Sequence, residues 1–229
     1  MNRRELLARR LGLVEYGAAL ALQKETERAV LSGAQSDTLL LLEHPHVITV
    51  GRRGHNTGLL LTPEALESRG VFVFETNRGG KLTYHGLGQV VGYPIINLSP
   101  DREDVHRYVR DLEEVLIRTM SDFNLEAFRI EGLTGVHTAQ GKVAAIGVHI
   151  ARWVTTHGFA LNVNTDLSFF DLIVACEGEP VTSMKDVLGH AVDLRRVEDR
   201  IVARFAEVFE MDETIDEALD EPVLAESRS

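Results

Sequence analysis

The chain has 229 residues, a formal net charge of −11 and a single cysteine. The length suffices for a core that buries about 70% of the unfolded surface without a disulfide, and the acidic balance excludes a nucleic-acid partner that is held through its phosphates. No apolar segment follows the charged residues 1–10, and no apolar run approaches the ~18 residues of a membrane span, so we predict a cytoplasmic protein that contacts no membrane.

Helical spacing and short apolar runs follow one another along the chain. Helices are predicted at 11–32, at a short segment capped by Thr62, and at 100–123, 167–173 and 197–209. Strands are predicted at 37–43, 47–51, 71–75, 90–98, 126–130, 134–138, 142–153 and 155–164. Pro94 should mark an edge strand or a bulge, because proline cannot donate a ladder hydrogen bond. Together these elements indicate an α+β fold, a mixed β-sheet with helices packed against it.

The chain shows no internal repeat and no linker of low complexity. We therefore predict a single domain over residues 1–211, in which 185–211 form a C-terminal helical portion. Residues 212–229 contain seven acids and one base, and they lack an apolar stripe of helical period. This composition predicts a disordered, solvated tail.

A glycine-rich segment, NRGGKLTYHGLGQ, occupies residues 77–89. Glycine permits positive φ and lets a ligand approach the backbone closely, so such a loop can wrap a substrate. The alternative is a tight hairpin whose polar side chains are solvated. The spacing of the glycines matches neither of the two common phosphate-binding motifs.

Two single residues are candidates for nucleophilic chemistry. Cys176 follows an apolar segment and precedes Gly178, so it is either a small buried residue or a reactive thiol at the end of an element. Lys142 precedes a run of small apolar residues. It is either a surface lysine with a buried stem or a partly desolvated ammonium, which would lower the pKa of a nearby thiol.

Nine histidines raise the question of a metal site. The strongest candidates are His44, His46, His55 and His85, and their spacing matches no standard ligand pattern. We therefore expect neither a metal nor another cofactor.

Three blocks of sequence are similar to a known family. They are RGGKLTYHGLGQVVGYPIINL at 78–98, GKVAAIGVHIARWVTTHGFALNVNTDLSFF at 141–170, and Cys176 followed by VTSM at 181–184. In this order, over roughly residues 10–185, they closely resemble the octanoyltransferases of lipoate biosynthesis, the lipoyl(octanoyl) transferase family.

The resemblance implies the fold of the biotin and lipoate protein ligase catalytic domain, and a reaction. An octanoyl group would pass from acyl carrier protein to Cys176 as a thioester. It would then pass to a lysine on lipoyl domains of 2-oxoacid dehydrogenase complexes and of the glycine cleavage protein. By the family motif, Lys142 is the catalytic residue that lowers the pKa of Cys176. The residues implied to bind the acyl group are Arg78, Gly79, Gly80, Lys81, Leu82, Thr83, Tyr84, His85, Ala145, Ile146, Gly147, Gly158, Phe159 and Ala160.

This chain departs from the family pattern at a few positions. Ala175 stands where the family usually has proline, and Glu177 and Gly178 stand where it usually has glycine and isoleucine. His137 replaces a residue that is usually aromatic. An acid beside the thiol would raise the pKa of the thiol if it pointed inward.

Other functions stay open. An ATP-dependent lipoate or biotin ligase on the same fold would need no cysteine, and a non-catalytic protein that binds acyl groups or lipoyl domains would form no thioester. A metal hydrolase that uses the histidines is a third alternative. Because carrier proteins are acidic, we also hypothesise a basic patch at the mouth of the site. Its members would be Arg52, Arg53, Arg78, Lys81 and Arg152.

Overall fold

The computed structural model describes residues 3–54, 58–174 and 179–216. Within them the strands are β1 (Arg4–Leu13), β2 (Asp37–Glu43), β3 (Val47–Val50), β4 (Phe72–Glu75), β5 (Leu82–His85), β6 (Gln89–Ile95), β7 (Val136–Thr138), β8 (Gly141–Ala151), β9 (Val154–Asn162) and β10 (Met211–Asp216). The helices are α1 (Tyr16–Ser32), α2 (Pro63–Glu67), α3 (Val105–Ser121), α4 (Met184–Leu188) and α5 (Leu194–Phe209), with a 3-10 helix at Leu167–Leu172.

The main sheet has the strand order β10-β1-β2-β6-β9-β8-β7. Strand β1 pairs in parallel with β2 and β10, whereas the other neighbours are antiparallel, so the sheet is mixed. Helices α3 and α5 bury their apolar faces on one side of this sheet, and α1 covers the other side. The predicted α+β fold with helices against a mixed sheet is confirmed.

A smaller sheet has the order β4-β3-β5. Its apolar side chains pack with aromatic residues of the 3-10 helix, including Phe169 and Phe170. The loop between β4 and β5 reaches across to the main sheet, where the Gly79 N–H donates to Val148 O at 2.9 Å. The two sheets thereby enclose the space that becomes the candidate site.

Strand β6 lies in the middle of the main sheet, so the prediction that Pro94 marks an edge was wrong. The ladder between β6 and β9 runs only from Gln89 to Gly92 on the β6 side. By this register Pro94 faces His157, which has a φ of 57° and donates its backbone N–H to Gln23 Oε1 at 2.8 Å. The ladder is therefore interrupted where proline lacks its donor, which is how a central strand tolerates the residue.

Both ends of the described chain differ from the predictions. Residues 11–13 belong to β1, and helix α1 begins only at Tyr16. The predicted disordered tail was wrong for 212–216, which form β10; residues 217–229 lie outside the described part. Acids of β10 face arginines in β1 and just before it: Asp216 lies 3.6 Å from Arg9, and Asp212 lies 3.9 Å from Arg3. These arginines offset the negative charge of the segment, so it can pair as a strand of the sheet.

Smaller differences concern local elements. The segment 126–130 is not a strand, since only Phe128 forms a bridge, with His137. Four residues of the glycine-rich segment 77–89 form strand β5. Among the residues that the structure describes, no helix is both long and apolar enough to cross a bilayer. The single-domain boundaries stay a prediction.

Candidate functional site

A cavity of about 490 Å³ lies between the main sheet and the loop that joins β4 to β5. Of the residues predicted to bind the acyl group, it is lined by Arg78, Gly79, Gly80, Lys81, Leu82, Thr83, His85, Ala145, Ile146, Gly147, Gly158, Phe159 and Ala160. Lys142 lines it as well. Tyr84 does not, because its ring is fully buried in the small sheet and its hydroxyl lies 2.7 Å from His46 Nδ1. The glycine-rich segment and the β8–β9 hairpin, which are far apart in sequence, therefore line one cavity.

The glycine-rich loop lies directly on strand β8. A Cβ atom at Gly147 would come within 2.9 Å of Gly79 O, and one at Gly51 would come within 2.6 Å of Gly80 O. Gly80 itself has a φ of 89°, a conformation that side chains with a Cβ rarely adopt. These glycines let three backbone segments approach closely, so the loop forms a wall of the cavity and not a solvated hairpin.

Arg78 holds this loop from the inside. Its guanidinium donates to Thr49 O at 2.6 Å, to Gly79 O at 2.9 Å and to Lys81 O at 3.1 Å. The residue is buried, with 7% of its surface exposed. Arg78 therefore cannot belong to the hypothesised basic surface patch, whereas Arg53 and Lys81 are exposed and line the cavity.

Lys142 is positioned by a short stretch of parallel backbone. Its N–H donates to Pro180 O at 2.8 Å, and its carbonyl accepts from the Thr182 N–H at 3.0 Å. Room for the side chain comes from Gly135, where a Cβ atom would stand 2.7 Å from Lys142 Cε. The lysine side chain keeps 20% exposure, so it enters the cavity as a partly desolvated cation.

Glu179 connects Lys142 with His137. Its Oε2 lies 3.6 Å from Lys142 Nζ and 3.5 Å from His137 Nε2. His137 is buried, and neither ring nitrogen has a hydrogen-bond partner with good geometry in the described part of the chain. The departure from the family's aromatic residue thus places an imidazole directly behind the acid that faces Lys142.

Cys176, with its neighbours Ala175, Glu177 and Gly178, lies outside the described residues. Two described residues on either side of this segment, Ile173 and Glu179, line the cavity. His55 also lies outside the described residues. The role of the cysteine therefore stays a prediction that depends on the resemblance.

A chain of amides connects His85, whose ring centroid lies 6.3 Å from that of Tyr16, with the end of the cavity that holds Lys142. His85 Nδ1 donates to Gln89 Oε1 at 2.8 Å, and Gln89 Nε2 donates to Asn162 Oδ1 at 2.9 Å. Asn162 Nδ2 in turn donates to Thr182 O at 3.1 Å. Burial, with the neighbouring His44 as a smaller cause, lowers the pKa of His85 well below its ordinary value. The ring is neutral, and its Nε2 is left as an acceptor.

Several cavity residues were missed from the sequence. They are Tyr16, Gln89, Tyr93, His157, Asn162 and Glu179. A signal was present in the strands, because Gln89 and Tyr93 share a face of β6 by alternation and are polar within a fully buried strand. Such residues are unusual in a central strand and favour a cavity beside it.

The chain matches the model of the lipoyl protein ligase A/B catalytic domain over residues 15–206. Among solved structures it is similar to a bipartite lipoate protein ligase from Thermoplasma acidophilum, with a TM-score of 0.73 at 18% identity over 94% of this chain and 87% of that one. It also resembles the biotin protein ligase from Aquifex aeolicus, with a TM-score of 0.52 at 12% identity over 90% of this chain and 69% of that one. The fold is that of lipoate and biotin protein ligases.

Relatives in sequence identify the family within this class of fold. An octanoyltransferase from Solibacter usitatus is 50% identical over 91% of this chain and 95% of its own length. One from Geotalea uraniireducens is 48% identical over 85% of this chain and 89% of its own length. The chain therefore belongs to the octanoyltransferase family, and the resemblance seen in the sequence blocks is confirmed.

Proposed function

We propose that this protein transfers an octanoyl group from acyl carrier protein to a lysine of lipoyl domains, through a thioester on Cys176. The observation that supports this most is the cavity in which Lys142, the glycine-rich loop and the small residues of β8 and β9 converge. Family membership supports the octanoyl group and the transfer. The donor, the intermediate and the roles of Cys176 and Lys142 are parts of the proposal.

In the first step the Cys176 thiolate attacks the carbonyl carbon of the donor thioester. The new carbon–sulfur bond replaces the old one, and the sulfur of the carrier protein leaves as a thiol with a proton that the Lys142 ammonium donates. The two thioesters are nearly equal in energy, so the step needs no ATP. The Lys142 ammonium favours the thiolate, because a cation beside a thiol lowers the thiol pKa.

In the second step the amine of the acceptor lysine attacks the acyl-enzyme. The bond to Cys176 breaks, an amide forms, and the sulfur leaves as a thiolate. The acceptor arrives as an ammonium and loses two protons as the amide forms: one passes to Lys142, which is neutral after the first step and is the proposed base, and the other passes to solvent. An amide is more stable than a thioester, so this step carries the overall reaction forward.

The middle of the cavity suits a hydrocarbon chain. Ala144, Ala145, Ile146, Phe159 and Ala160 line it between its polar ends. Each buried methylene contributes about 0.8 kcal/mol, so a medium-length chain is held firmly. A difference of one methylene discriminates by only about 10–200-fold, which predicts a preferred chain length with measurable activity on its neighbours.

The partners follow from the chemistry. The proposed acceptors are lipoyl domains of 2-oxoacid dehydrogenase complexes and of the glycine cleavage protein, and the proposed donor is acyl carrier protein. Exposed Arg52, Arg53 and Lys81 are the members of the basic patch that stand beside the cavity loop. A cytoplasmic location fits these partners.

Intact-mass spectrometry tests the proposal directly. We expect the wild-type chain, mixed with octanoyl-acyl carrier protein without ATP, to gain one octanoyl group, and to lose it when a lipoyl domain is added. Because the chain has one cysteine, Cys176→Ala should abolish the gain. A chain that octanoylates the lipoyl domain only with free octanoate and ATP would instead be a ligase, and one that gains no mass would be a binding protein.

A further inference from the structure

The end of the cavity remote from Lys142 is polar. Gln89 pairs with Asn162 beside the reactive end, and Tyr93 lies four residues further along β6. Four residues of strand correspond to about 13 Å along the sheet. Tyr16, Tyr93 and His157 all line the cavity. An acyl chain that starts near Lys142 and runs along β6 would meet these groups with its distal end.

Tyr16 presents a hydroxyl without a partner to this space. Only 2% of the residue is exposed, and its hydroxyl makes no hydrogen bond to any described residue. The hydroxyl oxygen is reachable from the cavity and is not sealed in the core, so it can pair with a group placed there. The hydroxyl group of Tyr16 is therefore a donor that a ligand in the cavity can use.

Tyr93 supplies a complementary acceptor. His44 Nδ1 lies 2.6 Å from Val14 O and must donate to it, because a carbonyl only accepts. The pKa of His44 is lowered to about 4 by burial, so the ring is neutral and its Nε2 accepts from the Tyr93 hydroxyl at 2.7 Å. With its proton committed to His44, the Tyr93 oxygen can only accept from a ligand.

His157 offers a second acceptor at the same end. Its Nε2 lies 2.7 Å from Asn77 Oδ1 and donates to it. Burial lowers the pKa of His157 to about 4, with Arg78 as a second cause. The neutral ring therefore carries no proton on Nδ1. The ring centroid of Tyr93 lies 6.4 Å from that of His157, and the ring centroid of Tyr16 lies 5.2 Å from that of His44, the partner of Tyr93. One donor and two acceptors therefore lie near one another, where a plain hydrocarbon chain would end.

We propose that this end of the cavity binds a neutral hydroxyl group at the distal end of the acyl chain, so that the substrates include medium-chain acyl groups hydroxylated at their last carbon. Such a hydroxyl would accept from Tyr16 and donate to Tyr93 or His157. The inference rests on the proposed function for the direction in which the chain lies. Because burial raises the pKa of Tyr16 to about 12 and both histidines are neutral, the subsite suits an uncharged group.

Paired substrates of equal length test this subsite. The probes are 8-hydroxyoctanoyl and nonanoyl thioesters of acyl carrier protein, which differ only in a terminal hydroxyl or methyl, and the readout is kcat/KM for transfer to a lipoyl domain. In the wild type we expect the hydroxylated probe to be used at least as well as the nonanoyl probe. In Tyr16→Phe the ratio of hydroxylated to nonanoyl should fall about 10-fold, the equivalent of about 1.4 kcal/mol.

A matched control is Tyr108→Phe, which removes a buried tyrosine hydroxyl in the core beneath α3, away from the cavity. It should leave the substrate ratio unchanged. A wild type that uses the hydroxylated probe about 10-fold less well than nonanoyl, or a ratio that Tyr16→Phe does not alter, overturns the inference. Those results still leave octanoyl transfer intact, whereas a failure of the proposed function removes transfer of plain octanoyl too.

Discussion

Lys142 owes its position to backbone contacts and not to its own side chain. Residues 180–182 hold the main chain of Lys142 from one side, and Gly135 leaves room for its aliphatic stem on the other. A substitution that keeps the stem and removes the charge should therefore preserve the fold. This makes the contribution of the ammonium measurable by itself.

Lys142→Met should lower kcat/KM for octanoyl transfer by about 10²–10⁴-fold, the usual contribution of a group that moves a proton. The far-ultraviolet circular dichroism and the melting temperature should stay close to those of the wild type. Lys185→Met on the exposed side of α4 is the matched control and should transfer at the wild-type rate. Full activity of Lys142→Met would remove this residue from the proposed mechanism.

Glu179 adds a feature that the family resemblance does not imply. It stands between Lys142 and His137, with its Oε2 at about equal distance from both nitrogen atoms. A carboxylate in this place holds the ammonium within the cavity and fixes its direction. The contact is a consequence of the tertiary fold, because Glu179 is distant in sequence from the β7–β8 hairpin in which His137 and Lys142 pair.

At the scale of elements, close approach between the glycine-rich loop and β8 decides the shape of the cavity. The loop crosses the strand at Gly147, whose partner in β9 is Gly158. Side chains at these two positions would meet the loop and the β6 backbone, respectively. The pair of glycines therefore opens the sheet surface on which the proposed acyl chain lies.

Gly147→Ala should displace the loop, since its Cβ atom would stand 2.9 Å from Gly79 O and 3.2 Å from Arg78 Cδ. We expect a fall in kcat/KM and a lower melting temperature. Gly17→Ala is the matched substitution in α1, where a Cβ atom meets no other atom within 4 Å. It should raise the free energy of unfolding by about 0.5–1 kcal/mol, because alanine favours the helix. Equal effects of the two changes on activity would contradict this account.

Some elements could be predicted from local patterns, and others could not. Helix α5 carries an apolar stripe at helical spacing, and α2 carries both Thr62 as its cap and Pro63 at its start. Strand β1 has the composition of a helix, rich in leucine and arginine, yet it pairs with β2 and β10. Pairing with distant segments overrode the local propensity there.

At the scale of the whole molecule, buried histidines control the response to acid. The pKa of His44 and that of His157 are lowered to about 4, chiefly by burial. The unfolded chain takes up these protons near pH 6.5, so the folded state loses stability as the pH falls from about 6.5 towards 4. Each histidine contributes up to about 3 kcal/mol to this loss. Burial raises the pKa of Glu198 to about 7. The folded chain therefore binds this proton at a higher pH than the unfolded chain, so Glu198 adds stability as the pH falls from about 7 to 4.5.

The melting temperature should therefore fall between pH 6.5 and 4.5, because the histidines, with His85 shifted in the same direction, outweigh Glu198 and the two aspartates whose pKa values burial also raises, Asp37 and Asp111. Glu198→Gln should steepen this fall, since it removes one of the opposing groups. Thermal unfolding followed by circular dichroism over this range measures both effects. A melting temperature that rises as the pH falls would contradict the assignment of neutral buried histidines.

The α+β class, most of the central strands and helices, the family, and the two segments that line the cavity could be predicted from the amino-acid sequence. These depend on periodicity and on contiguous motifs, which are local properties of the chain. The folded structure was needed to show that Arg78 faces inward, that β6 is central despite Pro94, and that acidic residues 212–216 join the sheet. The polar end of the cavity belongs to this second group, because Tyr16, Tyr93 and His157 come from three separate elements. Contacts between residues distant in sequence depend on how the elements pack, which no local pattern specifies.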